Sequence, residues 1–201
     1  MTDLRTARGG FARVLLEVLG VVFAVLIALG VDEAWESREN REMGWEADFR
    51  ILDEIAANRE EVLNSAEQNS ALLESVQGHL GGDPDSVSLD VEYSLSLLSS
   101  AAWDAAGLTG AIRFMEFDRV SRFSRLYDLQ ELYQEQQRGM VDVVAGVVTM
   151  SAVGYEDASA EEVAQAVARR VFGPLAVAGG LETGLLAAYD SALVELGPGR
   201  E

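Results

Sequence analysis

One stretch of the chain, residues 14–31, reads VLLEVLGVVFAVLIALGV and carries a single charge, Glu17. At about 1.5 Å per residue, an α-helix of this length crosses most of the roughly 30 Å hydrocarbon core of a bilayer. After residue 31, charges at helical spacing are expected to interrupt every apolar run. We therefore predict one transmembrane helix, over residues 14–31.

A cleaved signal peptide is the alternative interpretation of this run. Ala28-Leu29-Gly30 offers small residues where a signal peptidase cuts, and the run lies close to a basic N-terminus. The helical pattern continues past this point without a break, which favours an uncleaved anchor. Phe11 and Trp35 flank the span where aromatic side chains prefer the membrane interface, and we predict that they anchor it there.

Positive charge predicts the orientation of the span. Residues 1–13 contain three arginines and one acid, whereas the twenty residues after the span contain three arginines among seven acids. By the positive-inside rule, residues 1–13 are expected to be cytoplasmic and residues 32–201 to be exported. The predicted location is a bacterial inner membrane, crossed once, with a periplasmic C-terminal domain.

The predicted exported part is strongly acidic. The chain has 34 acidic and 15 basic residues, and 32 of the acids but only 12 of the bases follow residue 31, which gives that part a net charge of −20. Nucleic acid is excluded as a partner, because phosphate binding requires positive charge. The chain has no cysteine, which excludes disulfides, thiolate metal sites and a cysteine nucleophile.

Apolar residues at helical spacing predict an all-α fold. No Gly or Pro lies between Val31 and Met43, so the transmembrane helix is expected to continue into a long stalk helix. If Gly44 does not break it, a rod over residues 14–77 is about 95 Å long. Beyond the stalk we predict an exported helical bundle, with helices over 88–106, from Asp118 as N-cap, over 160–171 behind a Ser159 and Glu162 capping box, and over 181–196.

Two blocks of sequence carry a family resemblance. The first, Leu15 to Glu61, combines a Glu-bearing span, a Trp followed by acidic and Arg residues, and the segment LDEIAANRE. The second contains Trp103-Asp104-Ala105-Ala106, Thr109-Gly110-Ala111 and the segment LYDLQELY over 126–133. Together they resemble an uncharacterised bacterial family of single-pass, membrane-anchored helical proteins, a domain of unknown function. The resemblance implies an anchored helical fold and implies no activity.

Glu17 is an unusual residue for an apolar span. A carboxylate there is costly enough to suggest a role, and it shares a helical face with Gly20, Ala24 and Ala28. A row of small residues lets another helix approach closely, so this face is predicted to dock the span onto other membrane protein subunits. In the alternative, Glu17 lies one turn inside the membrane boundary and reaches water or pairs with Arg13.

Four arginines cluster within thirteen residues: Arg113, Arg119, Arg122 and Arg125. At the start of a helix they oppose the helix dipole, so a compensating negative charge is expected nearby. One hypothesis pairs them with the acidic faces of neighbouring helices in the same bundle. The other makes them a docking patch for an acidic partner or for anionic lipid headgroups.

The sequence contains no motif that indicates catalysis. His79, the only histidine, lies in a glycine-flanked turn without a second nitrogen ligand at metal-binding spacing. An acidic loop lacks the glycine and the terminal Glu of an EF-hand, so a solvated turn is expected rather than a Ca²⁺ site; its acids are Asp83, Asp85, Asp90 and Glu92. We predict no enzyme activity, no metal and no cofactor.

Two classes of function remain. The first is a non-catalytic accessory or scaffold subunit that docks, by its transmembrane helix and periplasmic domain, onto a larger membrane protein complex such as a respiratory or photosynthetic one. Its predicted partners are other membrane subunits and the lipid bilayer. The second is a self-standing, membrane-tethered ligand-binding module or enzyme of unknown activity, which requires a polar constellation in a pocket.

Overall fold

A computed structural model of the chain describes the backbone of residues 4–82, 89–153 and 159–197, and the side chains of these residues apart from 4–16, 18, 32 and 150–153. The only regular secondary structure in these ranges is helical, and the prediction of an all-α fold is confirmed. The elements are α1 (Leu4–Gly81), α2 (Ala101–Thr109), a 3₁₀ helix (Ala111–Phe114), α3 (Phe117–Val153) and α4 (Ala160–Leu196).

The first helix runs unbroken over 78 residues, a length of about 117 Å. Gly44 lies within it and faces Phe114, whose carbonyl oxygen would be only 2.7 Å from a Cβ added to the glycine. Glycine at this position therefore lets the backbone of the 3₁₀ helix approach α1 closely. The predicted rod over residues 14–77 lies wholly within α1.

The helical bundle forms on the part of α1 beyond residue 43. Buried positions of α1 recur every three or four residues and include Gly44, Ala47, Ile51, Ile55, Asn58, Val62, Ser65, Asn69, Leu72 and Val76. This face packs against α4 and the 3₁₀ helix, and α4 packs in turn against α3. One apolar cluster around Ile55, Phe123 and Tyr189 lies toward the stalk, and a second around Val76 and Met140 lies at the far end.

The last helix replaces two predicted helices. Its N-terminus is the predicted capping box: the Glu162 N–H donates to the Ser159 hydroxyl at 3.3 Å, and the Ser159 N–H donates to the Glu162 carboxylate at 2.9 Å. The helix then continues through Pro174, where the separate predictions for 160–171 and 181–196 left a break. Pro174 lacks an N–H, but Val171 and Leu175 beside it are buried in the far cluster, and this packing holds the helix together.

Among the described residues, α4 is the one helix that is long and apolar enough to cross a membrane. The expectation that charges interrupt every later apolar run is wrong there, because residues 171–189 contain a single charge, Glu182. A core helix passes the same test, and α4 packs on α1 and α3 with its Asp190 paired to Arg59 at 2.6 Å. We therefore treat it as a bundle helix. The predicted span over residues 14–31 includes side chains outside the described set, so that test does not cover it.

Residues 89–100 are not helical, and the prediction of a helix over 88–106 holds only from Ala101 onward. The segment is held by side-chain amides of α1. The Asn69 side chain donates to the Ser94 carbonyl at 3.0 Å and accepts from the Ser94 N–H at 2.9 Å. The Asn58 side chain likewise donates to the Ser99 carbonyl at 2.7 Å and accepts from the Ser99 N–H at 2.9 Å. The distance between the two asparagines matches the distance between the two serines. Eleven residues of helix and five residues of extended chain both rise about 16.5 Å.

Candidate functional site

The apolar part of α1 is bare. From Leu19 to Val31, the large apolar side chains are exposed over about half of their surface or more on every side of the helix, and Phe23 reaches 66%. Exposed apolar surface costs roughly 25 cal/mol per Å² in water, so soluble proteins seldom leave such a run uncovered. This segment, residues 19–31, is called the apolar sleeve below.

The predicted docking row lies on this bare part of α1. Glu17, Gly20, Ala24 and Ala28 are all exposed, and a Cβ added to Gly20 would meet no atom within 4 Å. The row therefore leaves room for another helix to approach closely. Of the two predicted interfacial anchors, Trp35 is 73% exposed about one turn beyond Val31, and the side chain of Phe11 lies outside the described residues.

The docking row continues up the stalk as a stripe of exposed residues. Steps of three or four residues define this outer stripe, which consists of Glu17, Gly20, Ala24, Ala28, Val31, Trp35, Arg38, Glu42, Trp45 and Phe49. Trp45 is 71% exposed, and its ring stacks on that of Phe49 with centroids 6.0 Å apart. Arg38 pairs with Glu42 one turn away at 3.0 Å. Helical spacing predicts that Trp45 and Phe49 lie on the core stripe of α1 with Leu52 and Ile55, and this prediction is wrong for the two aromatic residues, which are exposed.

The bundle lies on the opposite side of α1. At about 100° per residue, the outer stripe falls between roughly 120° and 220° from the buried Ile51. α4 packs beside the stripe rather than on it: Leu52, in the apolar cluster that includes α4, and Arg59, which pairs with Asp190, lie at about 100° and 80° on the same scale. The bundle thus leaves the stripe bare.

Helix α4 ends at the height of Asp48. The carbonyl of Leu196, the last residue of α4, accepts a hydrogen bond from Arg119 at 2.6 Å, and Arg119 also donates to Asp48 of α1 at 2.7 Å. Trp45 and Phe49 flank Asp48 in sequence. The two exposed rings therefore begin where α4 stops.

The four predicted arginines do not act as one group. Arg119 binds the Asp48 carboxylate through two hydrogen bonds, and Arg122 pairs with Glu195 of α4. Burial raises the pKa of Asp48, and the bonds and charge of Arg119 oppose that rise. Arg113 and Arg125 are exposed and make no ion pair within the described ranges. The two central arginines hold α3 against α1 and α4, whereas the outer two are exposed.

The start of α3 lies two residues before the predicted one. The helix begins at Phe117, and the Glu116 carbonyl accepts the first helical hydrogen bond, from Val120 at 3.0 Å. Asp118 therefore lies in the first turn rather than at the N-cap. The negative charge of a carboxylate there still offsets the nearby arginines and interacts favourably with the positive end of the helix dipole.

A polar network that sequence analysis missed fills the centre of the bundle. Gln130 of α3 accepts from Asn58 at 3.1 Å and from the Tyr189 hydroxyl at 2.7 Å. Glu182 of α4 is only 3% exposed and accepts from Asn69 at 2.8 Å and from Tyr133 at 3.0 Å. Polar residues on an otherwise apolar helix face are the sequence signal for such a network.

Burial sets the protonation of this network. It raises the pKa of Glu182, against the hydrogen bonds from Asn69 and Tyr133, which lower it. Burial also raises the pKa of Tyr133 to about 12, so this hydroxyl stays protonated and can donate to the carboxylate.

Glu182 also lines a groove of about 460 Å³ between α1 and α4. Gly179 and Gly180 form part of its wall, and a Cβ added to either would meet no atom within 4 Å. The volume falls within the range of small-molecule sites. The glycines keep the groove open beside a buried carboxylate.

His79 has a structural role in α1. It is buried, and its Nδ1 lies 2.9 Å from the Ser75 carbonyl one turn earlier. The part of the chain that the structure describes contains no group of three or more His, Asp or Glu residues arranged for a metal ion. Of the predicted acidic loop, Asp90 and Glu92 are exposed, and Asp83 and Asp85 lie outside the described residues.

No family model matches the chain, and no curated protein or solved structure is similar to it. The resemblance to an uncharacterised family of anchored helical proteins stays a prediction.

Proposed function

We propose that the protein is a non-catalytic accessory or scaffold subunit of a larger membrane protein complex. In this proposal residues 14–31 cross a bacterial inner membrane once, residues 1–13 stay in the cytoplasm and the acidic bundle stands in the periplasm. The docking row of the span contacts other membrane subunits, and the bundle contacts their periplasmic surfaces. A respiratory or photosynthetic complex is the kind of assembly envisaged.

The apolar sleeve is the observation that carries this proposal. Its large apolar side chains are uncovered on all sides, although the same helix is well packed a few turns later. A bilayer covers such a sleeve without any protein contact, and the basic flank before it and acidic flank after it fit an exported C-terminus.

The stalk supports a protein partner rather than lipid for the exposed arginines. From Val31 to Gly44, where the 3₁₀ helix meets α1, the helix rises about 20 Å. The headgroup layer on each side of the hydrocarbon core is only about 5–8 Å thick. The lower end of the bundle, which carries Arg113 and Arg125, therefore stands clear of the lipid.

Two carboxylates inside the bundle support a mechanical role, because their hydrogen bonds join the helices to one another. Glu54 accepts from the Tyr127 hydroxyl at 2.7 Å and from the Ala102 N–H at 3.0 Å, and so joins α1 to α2 and α3. Glu182 joins α4 to α1 and α3 in the same manner. These contacts need no substrate to explain them.

Two measurements test the anchor and its orientation. The protein should stay in the pellet when membranes are extracted with alkaline carbonate, and a reporter active only in the cytoplasm, fused after Glu201, should give no signal. Release into the supernatant contradicts the anchor. A strong reporter signal contradicts the orientation.

Docking is tested by purification from native membranes in mild detergent. Wild type should co-purify in constant ratio with other subunits, and Gly20→Leu with Ala24→Leu should lose them while staying in the membrane, because bulk is added without loss of hydrophobicity. Val22→Leu with Val25→Leu, on other faces of the sleeve, is the matched control and should keep them. Wild type that purifies without any other chain contradicts the scaffold role.

A second candidate function is a membrane-tethered ligand-binding module. The groove between α1 and α4, with Glu182 in its wall, is the observation that favours it. Its test is the melting temperature of the chain in detergent with a panel of small amines. A rise in wild type that disappears when Gly180→Leu fills the groove supports this function, and no rise contradicts it.

A further inference from the structure

Lipid does not account for Trp45 and Phe49. Fourteen residues separate Trp45 from Val31 at the end of the apolar sleeve, a rise of about 21 Å along the helix. Even at a tilt of 40°, the upper end of the usual range, roughly 16 Å of height remains, about twice the thickness of the headgroup layer. Two adjacent exposed aromatic rings at this height lie in water unless protein covers them.

The spacing of the stripe indicates that a helix belongs on it. Its steps of three and four residues, from Glu17 to Phe49, suit another helix packed along α1 at a small angle. α4 packs on a different side of α1 and ends beside Asp48, so a helix over Trp45 and Phe49 must come from elsewhere.

We propose that a second copy of this chain covers the outer stripe, forming a parallel, two-fold symmetric pair of α1 helices. The proposal rests on the membrane-anchored scaffold function and names the helix on its docking row as a second α1, so that the other subunits assemble on the pair. A shared bilayer fixes the two helices in parallel. The outer stripe runs for about 48 Å through both the predicted span and the stalk, so its partner must be a helix that does the same. A second α1 has this length and the matching height by construction.

The charges of the pair are compatible with this arrangement. Each bundle lies on the side of α1 away from the stripe, so two acidic bundles are kept apart by two helix diameters, about 20 Å, which exceeds the Debye length of about 8 Å. Arg38 and Glu42, the charged residues of the stripe outside the membrane, are opposite in sign and one turn apart. In a parallel pair Arg38 of one copy can reach Glu42 of the other copy.

The contact area reaches that of a stable interface. Trp35, Trp45 and Phe49, at about 150–250 Å² each and with the exposures given above, supply roughly 300–450 Å². About 50–60 Å² from each of the other seven stripe residues brings the total near the roughly 800 Å² per partner of a standard interface.

Single cysteines test the proposal directly, because the natural chain has none. Trp45→Cys and Phe49→Cys should form disulfide-linked pairs of twice 21.7 kDa in the full-length protein in membranes under mild oxidation. Met43→Cys and Arg50→Cys are the matched controls, because both are exposed at this height and lie about 90° or more from the middle of the stripe. They should form at least tenfold less of the linked product. Equal linking at all four positions, or none at any, overturns the proposal.

The mass of the full-length protein in detergent provides a second measurement. Wild type should have the mass of two chains, and Trp45→Glu with Phe49→Glu should raise the dissociation constant at least tenfold, because buried aromatic residues dominate most interfaces. Unchanged helicity by circular dichroism shows that the variant still folds. A wild-type monomer overturns the proposal. A monomer that still co-purifies with other subunits leaves the scaffold function standing, whereas release by carbonate removes the basis of both.

Discussion

The lower and upper parts of α1 lie in different surroundings. Over residues 19–31 every side of the helix is exposed, whereas beyond residue 43 one face, which includes Ile51, Ile55 and Val62, is buried by the bundle. Helix geometry is the same in both parts, and neither contains a break. What differs is the presence of a covering helix.

This difference shows that a segment of α1 can be helical without being buried by the rest of the chain. The lower part stays helical in the structure although no other element of the bundle packs on its sleeve. In water an isolated helix of that kind is marginal, and in a bilayer it satisfies all of its backbone hydrogen bonds internally. The lower part thus depends on its environment, and the upper part depends on its own chain.

The largest expected effect removes the environment of the lower part. Val22→Arg with Leu26→Arg places two charges in the middle of the predicted span, at about 2.5–3.5 kcal/mol each. We expect the protein to leave the membrane fraction, as measured by carbonate extraction and immunoblotting. The control, Val22→Leu with Leu26→Val, keeps the hydrophobicity and should remain membrane-bound. A double-arginine variant that still pellets with membranes contradicts the span.

A cavity on the covered side should have the next largest effect. Ile55 is fully buried in the cluster toward the stalk, so Ile55→Ala should lower the free energy of unfolding by about 2–5 kcal/mol. The control is Leu63→Ala, two turns further along at an exposed position, which should cost less than about 1 kcal/mol. Denaturant unfolding of the full chain in detergent, followed by circular dichroism, measures both. Equal losses contradict the assignment of the two faces.

The boundary between the two parts is tested at Gly44. A methyl group there meets the Phe114 backbone, so Gly44→Ala should destabilise the bundle by about 1–3 kcal/mol. Gly139→Ala is the matched control in α3, because its Cβ would meet no atom within 4 Å, and the higher helix propensity of Ala should stabilise by about 0.5–1 kcal/mol. The two melting temperatures should move in opposite directions. A shift in the same direction contradicts the close approach.

The smallest expected effect is the contribution of Glu182, in α4, to the pH dependence of the unfolding free energy. Burial raises the pKa of Glu182, so its native state binds a proton more tightly than the unfolded chain, and the stability from this group is present at low pH and lost as pH rises above the ordinary value of 4.5. Glu182→Gln removes this part of the slope, at most about 1.4 kcal/mol per pH unit. The measurement is the difference in unfolding free energy between variant and wild type from pH 4 to 8, which should grow in favour of the variant. A difference in unfolding free energy that does not change with pH contradicts the raised pKa of Glu182.

The all-α fold, the helix from residue 31 to Met43 and the Ser159 cap could be predicted because each depends on local pattern, whereas the continuation through Gly44 could not. Helical spacing and a capping box act within one or two turns and need no tertiary contact. The predicted docking row is also local, and the structure leaves it exposed, although its partner is still a prediction.

Other features depended on contacts distant in sequence. Serines favour turns and caps as readily as helices, and residues 89–100 became extended because Asn58 and Asn69 offer paired hydrogen bonds to the backbone. Packing in the far cluster likewise carried α4 across Pro174. Trp45 and Phe49 were predicted to lie in the core because helical spacing groups them with Leu52, which is buried at the edge of the covered face. No local signal tells where that face ends.

If residues 14–31 are fixed in a bilayer as proposed, the unbroken first helix makes the protein a lever. Gly81 then stands about 75 Å above Val31 on a single helix. A change of 10° in tilt, of the kind that a few ångströms of hydrophobic mismatch induce, would carry the far end of the bundle sideways by about 13 Å. Small differences in membrane thickness would thereby be converted into displacements as large as a helix is wide, at a distance where lipid itself does not reach.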